Sequence, residues 1–265
     1  MKRWLCVLIC AVILAGCAAS QKTDYKVFYY DATDGAENLT TIDKYEQIQP
    51  DNISSIPKTY TVEFNGEQLT GEYGDSHYSQ MRLLNHYYGN PGITIKVENG
   101  TDKIRSITHL RNELNHVILT EEECEKIALD VLRSKVSDIS RFKMESSFDE
   151  IWNTYDFRFE GNINGVLTTE TLSVSVYVDG LLMHVSGTMI DSFEKIDISK
   201  IETGKIVEDY KTALTKAIEK ETRNTGYEII SEHLTILPDG SLAMCYDVKM
   251  NGKSGLYRLY VTEAK

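Results

Sequence analysis

The sequence predicts an α+β fold: a helix packed on an antiparallel meander sheet, the unit repeated twice and preceded by a small β-hairpin-rich region. Three observations carry this. Two segments, 119–136 and 199–221, space their apolar residues as helices do. The stretches after each alternate with period two, as strands buried on one face do. Turn dipeptides, among them Asn65-Gly66, Asp179-Gly180, Asp239-Gly240 and Asn251-Gly252, punctuate those stretches.

The chain opens on Met1-Lys2-Arg3 and runs apolar from Trp4 to Ala15. That run is about half the roughly 20 residues a spanning helix needs, and a short positive region before a short apolar one has the layout of a secretory signal peptide. It closes on Leu14-Ala15-Gly16-Cys17, which resembles the bacterial lipobox. The resemblance implies a signal peptide at 1–16 and a diacylglyceryl-modified Cys17 as first mature residue. Two acyl chains suffice for stable attachment where one is marginal. The expected location is therefore the outer face of the cell membrane. The Lys, Ile, Asn and Tyr usage leans towards a Gram-positive source.

Losing Lys2 and Arg3 with the signal peptide lowers the net charge of −12 by two. An acidic chain is a poor match for nucleic acid, whose phosphates call for a basic face, so no nucleic-acid partner is expected. Of the five cysteines, Cys6 and Cys10 leave with the signal and Cys17 is lipidated. Cys124 and Cys245 fall on different kinds of element and read as two separate buried thiols.

Residues 17–57 are polar and rich in turn formers, and read as a tether, although "KVFYYDA" (26–32) has the character of a strand. Residues 58–118 read as an antiparallel β region around the Asn65-Gly66 and Asn99-Gly100 turns. In "LTEEECEKIALDVLRSKV", Thr120 and Glu123 form a capping box, Leu119 and Cys124 a hydrophobic staple, and residues 124, 127, 128, 131 and 132 an apolar stripe. A meander to about residue 195 comes next. The pattern recurs over 196–265, where Ile206, Tyr210, Leu214 and Ile218 share a helical face and Ser199 with Glu202 forms a second capping box.

The capped helix followed by "YDFRFEGNINGV" and "LSVSVYVDGLLMHVSG" resembles the PepSY-type module of bacterial secreted proteins, with Glu125 and Ala128 near the family's E-x-A-like step and Val176-Tyr177-Val178-Asp179-Gly180 at its strand and turn. Residues 119–195 and 196–265 then read as two divergent PepSY-like modules. The resemblance implies a non-catalytic domain, since such modules inhibit secreted metalloproteases as propeptides. No catalytic residue carries over.

The residues themselves offer little chemistry. His109 and His116 stand two helical turns apart, and neither H-E-x-x-H nor G-x-S-x-G occurs. "EEECE" suits a first helical turn, and "DATDGAE" lacks the order of a calcium loop. No cofactor, no metal and no catalytic residue is expected. Among sixteen tyrosines, Tyr78, Tyr87 and Tyr88 in a turn-rich patch form a candidate recognition surface. The function these readings support is a membrane-anchored binding or regulatory lipoprotein with an envelope or secreted protein as partner. The alternatives are a cell-wall or peptide-processing enzyme with an unfamiliar site, and a ligand-binding lipoprotein.

Overall fold

The computed structural model describes residues 23–30, 46–48, 55–79, 82–188, 190–222, 226–237, 239–252 and 255–264. The segment read as a signal peptide, Cys17 and most of the segment read as a tether lie outside them. Strands β1 (Tyr25–Tyr30), β2 (Glu46–Ile48), β3 (Thr59–Phe64), β4 (Glu67–Ser79), β5 (Arg82–Gly89), β6 (Ile93–Glu98) and β7 (Ile104–His109) precede helix α1 (Glu121–Lys135). Then come β8 (Phe142–Asp149), β9 (Thr154–Ile163), β10 (Val166–Tyr177) and β11 (Leu182–Thr188). Helix α2 (Thr203–Thr222) leads to β12 (Tyr227–Ile236), β13 (Leu242–Met250) and β14 (Tyr257–Glu263).

These strands form one mixed sheet of 14 strands in the order β2-β1-β14-β13-β12-β10-β11-β7-β6-β5-β4-β3, with β8 and β9 branching from β10. This overturns the expected helix-on-meander unit repeated twice. Among the described residues, two α-helices of 15 and 20 residues accompany a sheet that takes in every described strand. The reason is physical: a period-two pattern says which side chains share a face, not which strand lies alongside. Strand β10 meets three neighbours, with Thr171–Tyr177 along β9, Thr171–Val176 along β11, and Thr168 in a parallel bridge to Leu234 of β12. Strand β11 pairs with β7, so the region 58–118 is continuous with the sheet that the later strands build. Within the segment read as tether, β1 lies antiparallel to β14, with Tyr25 opposite Glu263.

Helix α1 starts where its sequence dictates. Thr120 accepts from the Glu123 amide at 3.3 Å, and the Glu123 carboxylate accepts from the Thr120 amide at 2.9 Å. Its Cys124, Ala128 and Leu132 are buried against Phe157, Phe159, Leu172, Val174 and Val176. Helix α2 lays Tyr210, Leu214 and Ile218 on Met244, Tyr246, Val248, Leu259 and Val261. The second capping box does not form, because Ser199 lies in a separate 3₁₀ turn and its hydroxyl donates to Asp197 at 2.6 Å. A third cluster, including Phe64, Leu69, Tyr87, Ile95 and Ile107, closes the β3–β7 end. The β3–β4 turn has the two positive φ angles, 54° at Asn65 and 78° at Gly66, that a tight hairpin requires.

Candidate functional site

Period two divides the sheet into a helix-covered face and a polar one. On β9, Phe157 and Phe159 point at α1, so Asp156, Arg158 and Glu160 point away. On β10, Leu172 and Val174 point in and Thr171, Ser173 and Ser175 point out. Residues directly opposite in an antiparallel register share a face, which places His184 of β11 beside Ser175 and beside Thr108 of β7. The Thr108 hydroxyl lies 2.8 Å from His184 Nδ1.

Strand β8 borders this face. Among the described residues it pairs only with β9, over all eight of its positions. Glu145 and Ser147 stand opposite Arg158 and Asp156 and line a cavity of about 580 Å³ with His184 and Trp152. Met144 and Phe148 stand opposite Phe159 and Tyr155 on the helix side, where they are 37 % and 46 % exposed. The Phe148 ring lies 4.8 Å from that of Tyr155. The turn into β9 adds Ile151 and Trp152, 84 % and 42 % exposed. An uncapped edge with four exposed large apolar side chains is what soluble proteins ordinarily avoid.

Arg158 and Ser173 also line a second cavity, of about 350 Å³, over β12–β14. Its charges are internally satisfied. Arg258 donates to Asp247 from Nε at 2.7 Å and Nη2 at 2.9 Å, and Ser231 donates to the same carboxylate at 2.8 Å. Burial alone would raise the Asp247 pKa, but the Arg258 bonds hold it below the usual carboxylate range. Burial keeps His233 and His184 neutral by lowering their pKa values. It pushes the Cys245 thiol up to about 12 and the Cys124 thiol upward. Both cysteines are free and buried. The ion pair and its hydrogen bonds hold the shape of this cavity.

Of the three tyrosines expected to form a recognition surface, two are placed by the described side chains. Tyr87 and Tyr88 are neighbours on β5 and therefore point to opposite faces. Tyr87 is 1 % exposed in the third core, while Tyr88 is 45 % exposed on the polar face. Tyr78 lies on β4, with its side chain outside the described residues. The β8 edge went unread in the sequence because "FKMESSFD" alternates weakly and nothing in it marks an outermost strand. The one available signal was "DEIWN", a turn carrying Ile151 and Trp152 where polar residues are the rule.

No protein-family model, curated protein or solved structure matches the chain.

Proposed function

We propose that this protein is a lipid-anchored, extracytoplasmic binding protein that captures an extended segment of an envelope or secreted protein along β8. The observation that carries the reading is the eight-residue edge, with a lip of exposed apolar side chains on one side and a polar cavity on the other. An added strand gains main-chain hydrogen bonds along such an edge, and its side chains alternate between the two faces. Alternate residues of the guest would enter the cavity between Glu145 and His184 or lie on Met144 and Phe148. Specificity then comes from the spacing of polar and apolar residues in the guest. The lipobox-like Leu14-Ala15-Gly16-Cys17 supports attachment through a diacylglyceryl group on Cys17. The PepSY-like stretch adds the expectation of a non-catalytic, inhibitory role.

The test places a photoactivatable residue at Ser146 and irradiates intact cells, with the same residue at Lys216 of α2 as control. One dominant crosslinked protein is expected from position 146. It should disappear when Met144→Asp and Phe148→Asp are introduced together. Capture that survives both substitutions, or equal capture from position 216, overturns the edge reading. Location is tested separately: Cys17→Ser should leave the membrane fraction, and full retention there would refute the anchor.

A further inference from the structure

We infer that Asp75, His77 and His86 form a binding site for a divalent transition metal ion of the zinc class. The site is independent of the tether and of the β8 edge. Its geometry originates in a backbone irregularity. Tyr73 stands opposite Tyr87 and Asp75 opposite His86, so Gly74 is an extra residue in β4, a β-bulge. In an unbroken strand Asp75 would share the buried face of Tyr73 and Tyr87. The bulge turns it, and His77 two residues on, to the polar face where His86 and Tyr88 lie. Glycine suits the bulge, because a Cβ on residue 74 would lie 2.5 Å from the Tyr88 ring, which crosses the strand there and would have to move aside.

The three donor atoms converge. Asp75 Oδ1 lies 3.4 Å from His77 Nε2 and 3.0 Å from His86 Nδ1, and all three atoms lie within 4.8 Å of one another. Metal–ligand bonds of about 2.0–2.2 Å in a tetrahedron put donor atoms about 3.4 Å apart, so a small adjustment of one ring encloses an ion. The Tyr88 hydroxyl donates to the other carboxylate oxygen, Oδ2, at 3.3 Å. That is the support that orients a ligating carboxylate. Asp75 and His77 are each a little over 40 % exposed, whereas His86 is 10 % exposed. The site is thus rooted in the sheet and open on one side, leaving a coordination position for water or a donor from another molecule.

Two imidazoles and one carboxylate select a borderline ion over calcium or magnesium, which take oxygen ligands. Lys96 stands opposite His86 on the neighbouring strand and opposes a dication there. Neutralising it should tighten binding.

The full chain, stripped with a chelator, is titrated with zinc chloride against a chromophoric chelator, and separately with cobalt(II) to read its electronic spectrum. One zinc per chain is expected, together with cobalt absorption of the intensity given by four-coordinate ions. His77→Gln and Asp75→Asn should each weaken zinc by at least about tenfold, the range seen for supporting residues alone. Lys96→Met should bind more tightly, and His116→Gln should match wild type. Asp75→Asn keeps the side-chain shape, so loss of zinc at an unchanged melting temperature reports ligation. Zinc binding undiminished in both site variants, binding lost equally in His116→Gln, or no stoichiometric zinc at all overturns the site.

Discussion

Removing the guanidinium of Arg141 should destabilise the protein more than any surface substitution, and the structure sets how much. Glu170 is fully buried on β10, close to the Thr168–Leu234 bridge where β12 joins, and its carboxylate accepts both terminal nitrogens of Arg141, one at 2.9 Å. Thr168 adds a hydroxyl at 3.4 Å. Truncating one partner of such a pair leaves a buried charge uncompensated, a loss of about 3–5 kcal/mol. At about 2–4 °C per kcal/mol for a chain of this size class, Arg141→Met should melt about 6–20 °C lower. Replacing both partners, Arg141→Met with Glu170→Leu, should recover most of that loss, since an apolar pair of similar volume is often neutral. Burial already raises the Glu170 pKa against the pull of Arg141. A raised carboxylate favours folding below its unfolded pKa, and that contribution fades as pH rises through the folded value. The deficit of Arg141→Met against wild type should therefore widen from about pH 4 upward. Urea unfolding and thermal melts at several pH values check this. A loss below about 1 kcal/mol near neutral pH, or a double variant no more stable than the single, refutes the reasoning.

Three further outcomes are expected from the structure. Asp191 is held well below the usual carboxylate range: burial opposes this, but Lys103 and Arg105 both donate to it and overcome the burial effect. Its contribution is present above about pH 4 and lost as pH falls through the depressed value, so Asp191→Asn should flatten the acid limb of a melting-temperature profile. A Cβ at Gly89 would lie 2.3 Å from the Thr70 carbonyl oxygen; Gly89→Ala should cost about 1–3 kcal/mol in urea unfolding, and an unchanged midpoint would contradict the β4–β5 spacing. Cys124 and Cys245 should resist thiol alkylation until denaturant is added, read as mass increments at those two residues, because burial keeps both thiols protonated and shielded.

Local structure was legible in the sequence wherever neighbouring residues determine it. Thr120 with Glu123 marks the start of α1, and Asn65-Gly66 marks the first hairpin. The stripe of α1 through Cys124, Ala128 and Leu132 states which face is buried. Lateral order was not legible. Nothing in "YKVFYY" says that it lies beside "YRLYVTE", and nothing in "VLTTETLSVSVY" says that it has three neighbours. The same limit hid Asp75, His77 and His86. Two of the three are close in sequence, but their shared face depends on the bulge at Gly74 and on a register that only folding sets. Tyr87 and Tyr88, adjacent in sequence, are separated by the pleat.

The pairing of β1 with β14 carries a consequence for biogenesis. A chain that emerges amino end first presents Tyr25–Tyr30 early, yet its antiparallel neighbour is made nearly at the end of synthesis. Helix α2 waits as well, since part of the surface it covers belongs to β14. Strand β1 thus has only the short parallel β2 (Phe28 opposite Glu46) beside it until the last strand is made, and its other edge stays open through most of synthesis. Contacts of such long sequence separation slow folding and lengthen that exposure. Folding rate, more than final stability, is then the property most sensitive to mutation in β1.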